Sequence, residues 1–249
     1  MDATPRQFPI DFPSRDFIVQ IARFDPAKGI DTVIRAYGEL RRTYMRETPV
    51  NKIPQLVIAG HSAVDDPDAT IIFDKMEALI KGEFPEMESD ISMVRVGPVD
   101  QILNVLMSNA KVALQLSTRE GFEIKVSEAL HKGVPIIATN AGGIPLQVED
   151  GKSGFLVEPN DYRAVAKHLH ELLTDEELWI RMSKYAATHV SDEVGTVGNA
   201  LSWFYLADTL GKGEKLEANG RWINDLARQK AAAPYGEDEP RLPRHLTTG

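Results

Sequence analysis

Val112 to Thr139 reads VALQLSTREGFEIKVSEALHKGVPIIAT, and the order of its pieces decides the fold. Two short apolar runs, Val112 to Leu116 and Val134 to Thr139, flank a stretch from Phe122 to Lys132 that reads as a helix. The runs are near-continuous rather than alternating, which is the pattern of strands buried on both faces. A strand, a loop, a helix and a second buried strand make one βαβ unit, so the two strands are expected side by side and parallel.

The same alternation extends outward. Upstream, Phe17 to Ala22 (FIVQIA) reads as a buried strand, followed by the turn RFDPAKG and by Ile30, Val33, Ile34, Tyr37 and Leu40 at helical spacing. Gln55 to Ala59 and Ile91 to Val96 read as strands, Asp68 to about Lys81 and Asp100 to Ser108 as helices, and acidic Gly82 to Asp90 as a loop. Downstream, Phe155 to Val157 reads as a last edge strand. Tyr162 to Leu173 and Glu176 to about Val190 read as helices, with Asp161 and Asp175 at their N-cap positions. The expectation is an α/β fold, a Rossmann-like parallel sheet with helices on both faces. Residues 1–16, with Pro5, Pro9 and Pro13, are an extended lead-in, and 17–192 the sheet domain. Residues 193–230 form a helical extension containing Trp203, Phe204 and Tyr205, and 231–249 a polar, flexible tail.

Composition narrows the function classes. The 249 residues carry 28 Lys and Arg against 37 Asp and Glu, a net charge of −9 with no basic stripe, which argues against nucleic acid as a partner. No apolar run reaches the roughly 18 residues of a membrane span, and the first residues lack a basic n-region and an apolar h-region. The absence of cysteine removes disulfides, thiolate–zinc sites and thiol nucleophiles. A cytoplasmic protein is expected. No carboxylate and histidine cluster has ligand spacing, so no metal and no cofactor is expected. The zinc-protease, nucleophile-elbow and P-loop motifs are all missing.

In an open α/β sheet, ligands bind where strands end and helices begin. Four segments fall there. Arg23-Phe-Asp-Pro-Ala-Lys28-Gly29 puts two cations in a turn, either a phosphate clamp or a surface turn whose cations are solvated. His61, in GHSAVDD, is a hydrogen-bonding partner for a ligand or simply a structural histidine. Ser117 to Glu128 (STREGFEIKVSE) offers Glu120 in the loop and Glu128 on the helix, too far apart for an acid/base dyad. Glu120 is placed to accept hydrogen bonds from a sugar, with amides of residues 121 to 125 facing a phosphate. Equally, Glu128 is placed to pair with Lys125 or Lys132 on the helix surface. Ala141-Gly-Gly-Ile-Pro145 is a tight turn that lets backbone approach a ligand or a neighbouring loop.

Taken together, R-F-D-P-A-K-G, the E-x7-E motif from Glu120 to Glu128, E-A-L-x-x-G-x-P-I-I-A-T-x-A-G-G and D-G-x-S-G-F-L-V occur in one order across Phe17 to Leu173. This set resembles the C-terminal half of family-4 retaining glycosyltransferases of GT-B architecture, and within them the branch of fungal trehalose phosphorylases and trehalose synthases. Glu123 and Ile124 stand where the wider family has glycine and leucine, a departure that matches this branch. The resemblance implies that Arg23 and Lys28 hold the donor phosphate and stabilise the leaving group's charge, while Glu120 accepts hydrogen bonds from the donor glucose. It places Gly121, Phe122, Glu123, Lys125, Glu128 and His61 around the substrate. Glu128 binds ribose in nucleotide-dependent relatives and is structural if the donor is glucose 1-phosphate. The implied reaction is reversible transfer of glucose between α-glucose 1-phosphate and glucose, giving trehalose and phosphate with retention. A nucleotide-sugar donor is the alternative, and a non-catalytic regulatory or assembly module the alternative of another class. Such enzymes have two Rossmann-like domains and this chain has elements for one, so the chain alone is expected to bind donor without catalysing transfer. The aromatic residues after Ser191 are an expected route to a homodimer.

Overall fold

The computed structural model describes residues 8–61, 67–97, 99–216 and 220–242, without the side chains of His61, Pro67 and Asp68. The chain divides into two compact units, Met1–Ala187 and Thr188–Gly249.

The first unit is a six-stranded sheet of β1 (Phe17–Ile21), β2 (Gln55–His61), β3 (Ile91–Val96), β4 (Val112–Gln115), β5 (Ile136–Thr139) and β6 (Gly154–Val157). The spatial order is β3-β2-β1-β4-β5-β6, and every neighbouring pair is parallel. Val19 of β1 faces Val57 on one side and Ala113 on the other. The chain therefore builds outward from β1 to β3, then returns to place β4 on the opposite flank of β1. This reversal is the switch point of a doubly wound sheet, and a crevice opens there beyond the carboxyl ends of β1 and β4.

The helices are α1 (Ile30–Glu39), α2 (Pro67–Glu83), α3 (Asp100–Asn109), α4 (Ile124–His131), α5 (Tyr162–Thr174) and α6 (Glu176–Thr188). Because side chains alternate along a strand, Ile18, Leu56, Ile58, Val112 and Leu114 point into one cluster with Ile30, Val33 and Ile34 of α1, Phe73 and Met76 of α2 and Leu169 of α5. Val19, Val57 and Ala113 lie between these residues in sequence and face the other way. They are equally buried, on the side where α3 packs on β1 and α4 on β4 and β5. Helices thus cover both faces, and the uninterrupted apolar strands are explained. At about 25 cal/mol per Å² of apolar surface, this two-sided burial is the main favourable term of the fold.

Several boundaries differ from the sequence expectation, and at two of them a specific contact is responsible. Gly82 to Asp90 is not a plain loop: α2 runs to Glu83 and Pro85–Asp90 is a 3₁₀ helix. Phe84 and Met87 are buried and anchor it, while Asp90 accepts hydrogen bonds from Arg15 (2.8 Å) and Arg41 (2.7 Å). The helix after β4 starts at Ile124 rather than Phe122, because the Glu123 side chain accepts from the Lys125 amide and acts as its N-cap. Helix α6 ends at Thr188. In the lead-in, the Asp11 amide donates to Gln55 Oε1 (2.6 Å) and Arg15 donates to the Ile53 carbonyl (2.8 Å).

The second unit holds α7 (Thr196–Gly211) and α8 (Ile223–Lys230), joined by the buried bond from Ser202 Oγ to Asn224 Oδ1 (2.7 Å). Buried Glu193 accepts from Tyr235 Oη (2.9 Å) and the Leu242 amide (2.6 Å), and Arg228 pairs with Glu239, so residues 231–242 are tied to these helices. Trp203 and Phe204 on α7 are exposed. Residues 243–249 of the tail lie outside the described residues. Among the described residues, no helix is long and apolar enough to cross a membrane.

Candidate functional site

The crevice at the switch point is bounded by the loops that follow β1 and β4. In the first, Asp25 caps a short 3₁₀ helix, Pro26–Lys28, by accepting from the Ala27 amide (2.7 Å), and Pro26 fits its first position. Gly29 ends it in the left-handed region at φ 59°, and a Cβ there would lie 2.0 Å from the Leu116 carbonyl. Only glycine allows this approach, and the approach sets Lys28 beside the end of β4. The second loop is docked on the first by a hydrogen bond from the Thr118 amide to the Ala27 carbonyl (2.8 Å).

Two glutamines inside the apolar strands complete this junction. Gln20 on β1 is fully buried; its amide donates to the Lys28 carbonyl (2.8 Å) and its Oε1 accepts from the Leu116 amide (3.2 Å). Gln115 on β4 is also fully buried and donates to the Ile21 carbonyl (2.7 Å). Sequence reading passed over both. Their signal was present: FIVQIA and VALQL each interrupt an apolar run with one glutamine, and a buried amide is kept only where it has backbone partners.

Held in this way, the Lys28 ammonium lies between two carboxylates. It donates to Glu120 Oε2 and, at 2.7 Å, to Glu123 Oε2. The three side chains are only 12%, 18% and 8% exposed, respectively. Burial works against the charge of Lys28, but its hydrogen bonds to Glu120 and Glu123 outweigh that and raise its pKa. For Glu120, burial favours the neutral form, but the hydrogen bond and charge of Lys28 together with the neighbouring Glu123 and Gly121 amide outweigh it, leaving the pKa below the ordinary value. For Glu123 burial prevails over Lys28 and pushes the pKa up. One cation thus serves two acids in unequal surroundings.

A cleft of about 320 Å³ opens beside this cluster, lined by Arg23, Lys28, Asp100, Glu123, Ile124 and Lys125 among others. Arg23 stands at its rim, 57% exposed, 3.4 Å from Asp25. Lys125 pairs with Glu128 at 2.7 Å, the surface pairing that competed with a ligand role for Glu128 in the sequence. Glu128 lies little more than one turn into α4. The Gly121 amide lies 3.1 Å from Glu120 Oε1, and the Gly121 carbonyl accepts from the Gly143 amide (2.7 Å). Gly142, at φ 57°, packs so closely on the Glu120 carbonyl that a Cβ would lie 1.7 Å from it. The glycine turn therefore buttresses the Glu120 loop. Phe122 is partly exposed beside it. The side chain of His61, at the end of β2, and residues 62–66 lie outside the described residues. The structure thus brings Lys28, Glu120 and Glu123 into contact, puts Arg23 and Lys125 on the same cleft, and reaches Glu128 through Lys125. Among the described residues, no three His, Asp or Glu side chains are grouped as metal ligands.

A six-stranded parallel α/β sheet of this order, with its cleft at the switch point, is a doubly wound fold and matches the C-terminal domains of GT-B glycosyltransferases. Residues 6–189 match the model of the glycosyl transferases group 1 family, and the chain belongs to that family. Over 236 residues the chain is 57% identical to a trehalose phosphorylase of Grifola frondosa, a match covering 94% of this chain and 32% of the relative. Over 194 residues it is 36% identical to a trehalose synthase of Thermococcus litoralis, covering 76% and 43%. Its structure is similar to that of a sucrose-phosphate synthase from Thermosynechococcus elongatus, with TM-score 0.68, 26% identity and coverage of 81% and 47%. The chain spans about a third of the length of the trehalose phosphorylases it matches.

Proposed function

We propose that this chain is the donor-binding part of a retaining glucosyltransferase of the trehalose phosphorylase type, which interconverts trehalose and phosphate with α-glucose 1-phosphate and glucose. The observation that carries the reading is Lys28, buried between Glu120 and Glu123 in a switch-point cleft with Arg23 at its rim. The 57% identity to a trehalose phosphorylase supports the choice of reaction.

In this reading Arg23 and Lys28 meet the phosphate. Arg23 swings inward from its exposed position, and Lys28 turns from the carboxylates toward the ligand. As the glycosidic bond breaks, negative charge grows on the departing phosphate, and two fixed cations in a water-poor cleft stabilise it. Glu120, released from Lys28, accepts hydrogen bonds from the glucose hydroxyls. Amides near Gly121 and Phe122 face the phosphate, and Glu128 remains with Lys125 as a structural pair. The acceptor sugar is held by the remainder of the enzyme, so this chain alone binds donor and does not turn it over.

The test is calorimetric titration of the chain with inorganic phosphate, glucose 1-phosphate and UDP-glucose, with Arg23→Ala and Lys28→Ala as controls. Binding of both phosphate ligands, lost in both variants, is expected. Preferential binding of UDP-glucose would replace this reading with a nucleotide-sugar synthase, and turnover of trehalose by the chain alone would contradict the division of labour.

A further inference from the structure

Lys28 and the Lys125 amide, two groups placed to meet an entering phosphate, are already satisfied by the chain itself. Glu123 uses both carboxylate oxygens: Oε2 accepts from Lys28 Nζ (2.7 Å), and Oε1 accepts from the Lys125 amide in the first turn of α4 (3.3 Å). A buried cation and a helix-end amide are the donors that a phosphate uses. Glu123 lines the cleft and is nearly inaccessible, so the interaction is built into the fold rather than a chance surface pairing. Lys28 together with Glu120 and Glu123 carries one net negative charge, so a phosphate reaches Lys28 only as a carboxylate moves aside or is neutralised.

The two carboxylates are not equivalent. Glu120 belongs to the loop buttressed by Gly142, and its Oε1 and Oε2 lie near the Gly121 amide (3.1 Å) and Ser117 Oγ (3.4 Å). Glu123 stands at the junction of loop and helix, where rotating one side chain frees both of its donors at once. Burial also disfavours its charged form.

We propose that Glu123 is an affinity-determining residue of this cleft, an internal anion that holds Lys28 and the α4 amide and that an entering phosphate must displace. The inference rests on the reading of the cleft as a donor-phosphate site. Every phosphate-bearing ligand competes with Glu123, whereas an uncharged sugar does not. Glu123 thereby weakens phosphate binding while holding Lys28 in a fixed orientation.

Titration of the 249-residue chain with inorganic phosphate and α-glucose 1-phosphate at fixed ionic strength, with a thermal melt of each variant, tests this. Glu123→Gln keeps a cap acceptor and removes the charge, so phosphate affinity is expected to rise at least about tenfold. Glu123→Asp keeps the charge and is expected to show no such gain. Glu123→Ser, another neutral helix cap, substitutes if Glu123→Gln melts early. A merely structural glutamate would give loss rather than gain. Unchanged or weaker phosphate binding in a folded neutral variant overturns the proposal. Lys28→Ala separates the two levels. If it leaves phosphate binding intact, the donor-phosphate reading falls and this inference with it. If it abolishes binding while the neutral Glu123 variants do not tighten it, only the role of Glu123 falls.

Discussion

Lys28 and Glu123 are 95 residues apart in the chain and joined by a 2.7 Å hydrogen bond, one closing the loop after β1 and the other opening the helix after β4. Their meeting follows from strand order. β4 returns to the side of β1, so the loops after these two strands become neighbours, and the pairing of the two residues reports whether that junction is intact.

Substituting Lys28 by methionine leaves Glu120 and Glu123 facing each other with little access to water. Removing one partner of a buried ion pair costs about 3–5 kcal/mol, and the partial exposure of Glu120 puts this case toward the lower end. Adding Glu123→Gln to Lys28→Met is expected to recover much of the loss. Urea unfolding of the wild type, both single variants and the double variant measures the coupling; additive effects would contradict it.

Gln20→Leu is expected to destabilise by about 1–3 kcal/mol, since the Lys28 carbonyl and the Leu116 amide both lose a buried partner. Because the change loosens the two site loops, phosphate affinity measured by calorimetry is expected to fall as well, although Gln20 has no place on the cleft.

Gly29→Ala puts a methyl group on a left-handed residue, 2.0 Å from the Leu116 carbonyl. The backbone conformation alone costs about 1 kcal/mol, and the clash forces the two loops apart. A lowered melting temperature together with loss of phosphate binding is expected. Gly151→Ala is also at positive φ, at 74°, but in open space; it carries only the conformational cost and should bind phosphate normally.

Asp90 supplies a pH-dependent contribution. Burial opposes its ionisation, but hydrogen bonds from Arg41 and Arg15 outweigh that and hold its pKa below the ordinary value. A carboxylate depressed in the folded state contributes stability that is complete above the unfolded value of about 3.9 and is lost as pH falls through the folded value. Asp90→Asn is therefore expected to destabilise the protein at pH 7 and to flatten the fall in stability below about pH 4. Chemical denaturation at a series of pH values checks both.

Much of the fold was legible because two-sided burial leaves a direct mark: FIVQIA, VALQL and VPIIAT are apolar at nearly every position. Periodicity did less well at element ends, where single contacts decide. Phe84 and Met87, two apolar residues in an acidic segment, turned an expected loop into a 3₁₀ helix because each found a buried place. At the site, Lys28 and Glu120 stood out as charges at the ends of buried strands. Gln20 and Gln115 went unremarked because an amide within a strand reads as a weak interruption until its backbone partners are known.

By itself, the sequence determined the alternation of buried strands with helices, the parallel sheet this requires, and the loops that carry the charged residues. These follow from short-range rules, since side-chain periodicity and turn chemistry act over a few residues. Only the tertiary structure decided that Lys28 is shared between Glu120 and Glu123, that Arg23 stands out at the rim, and that Glu128 is taken by Lys125. The Lys28 pairings join segments more than ninety residues apart, brought together by the placement of β4 beside β1. The setting of Arg23 and Glu128 depends on rotamers and burial, which local pattern leaves open.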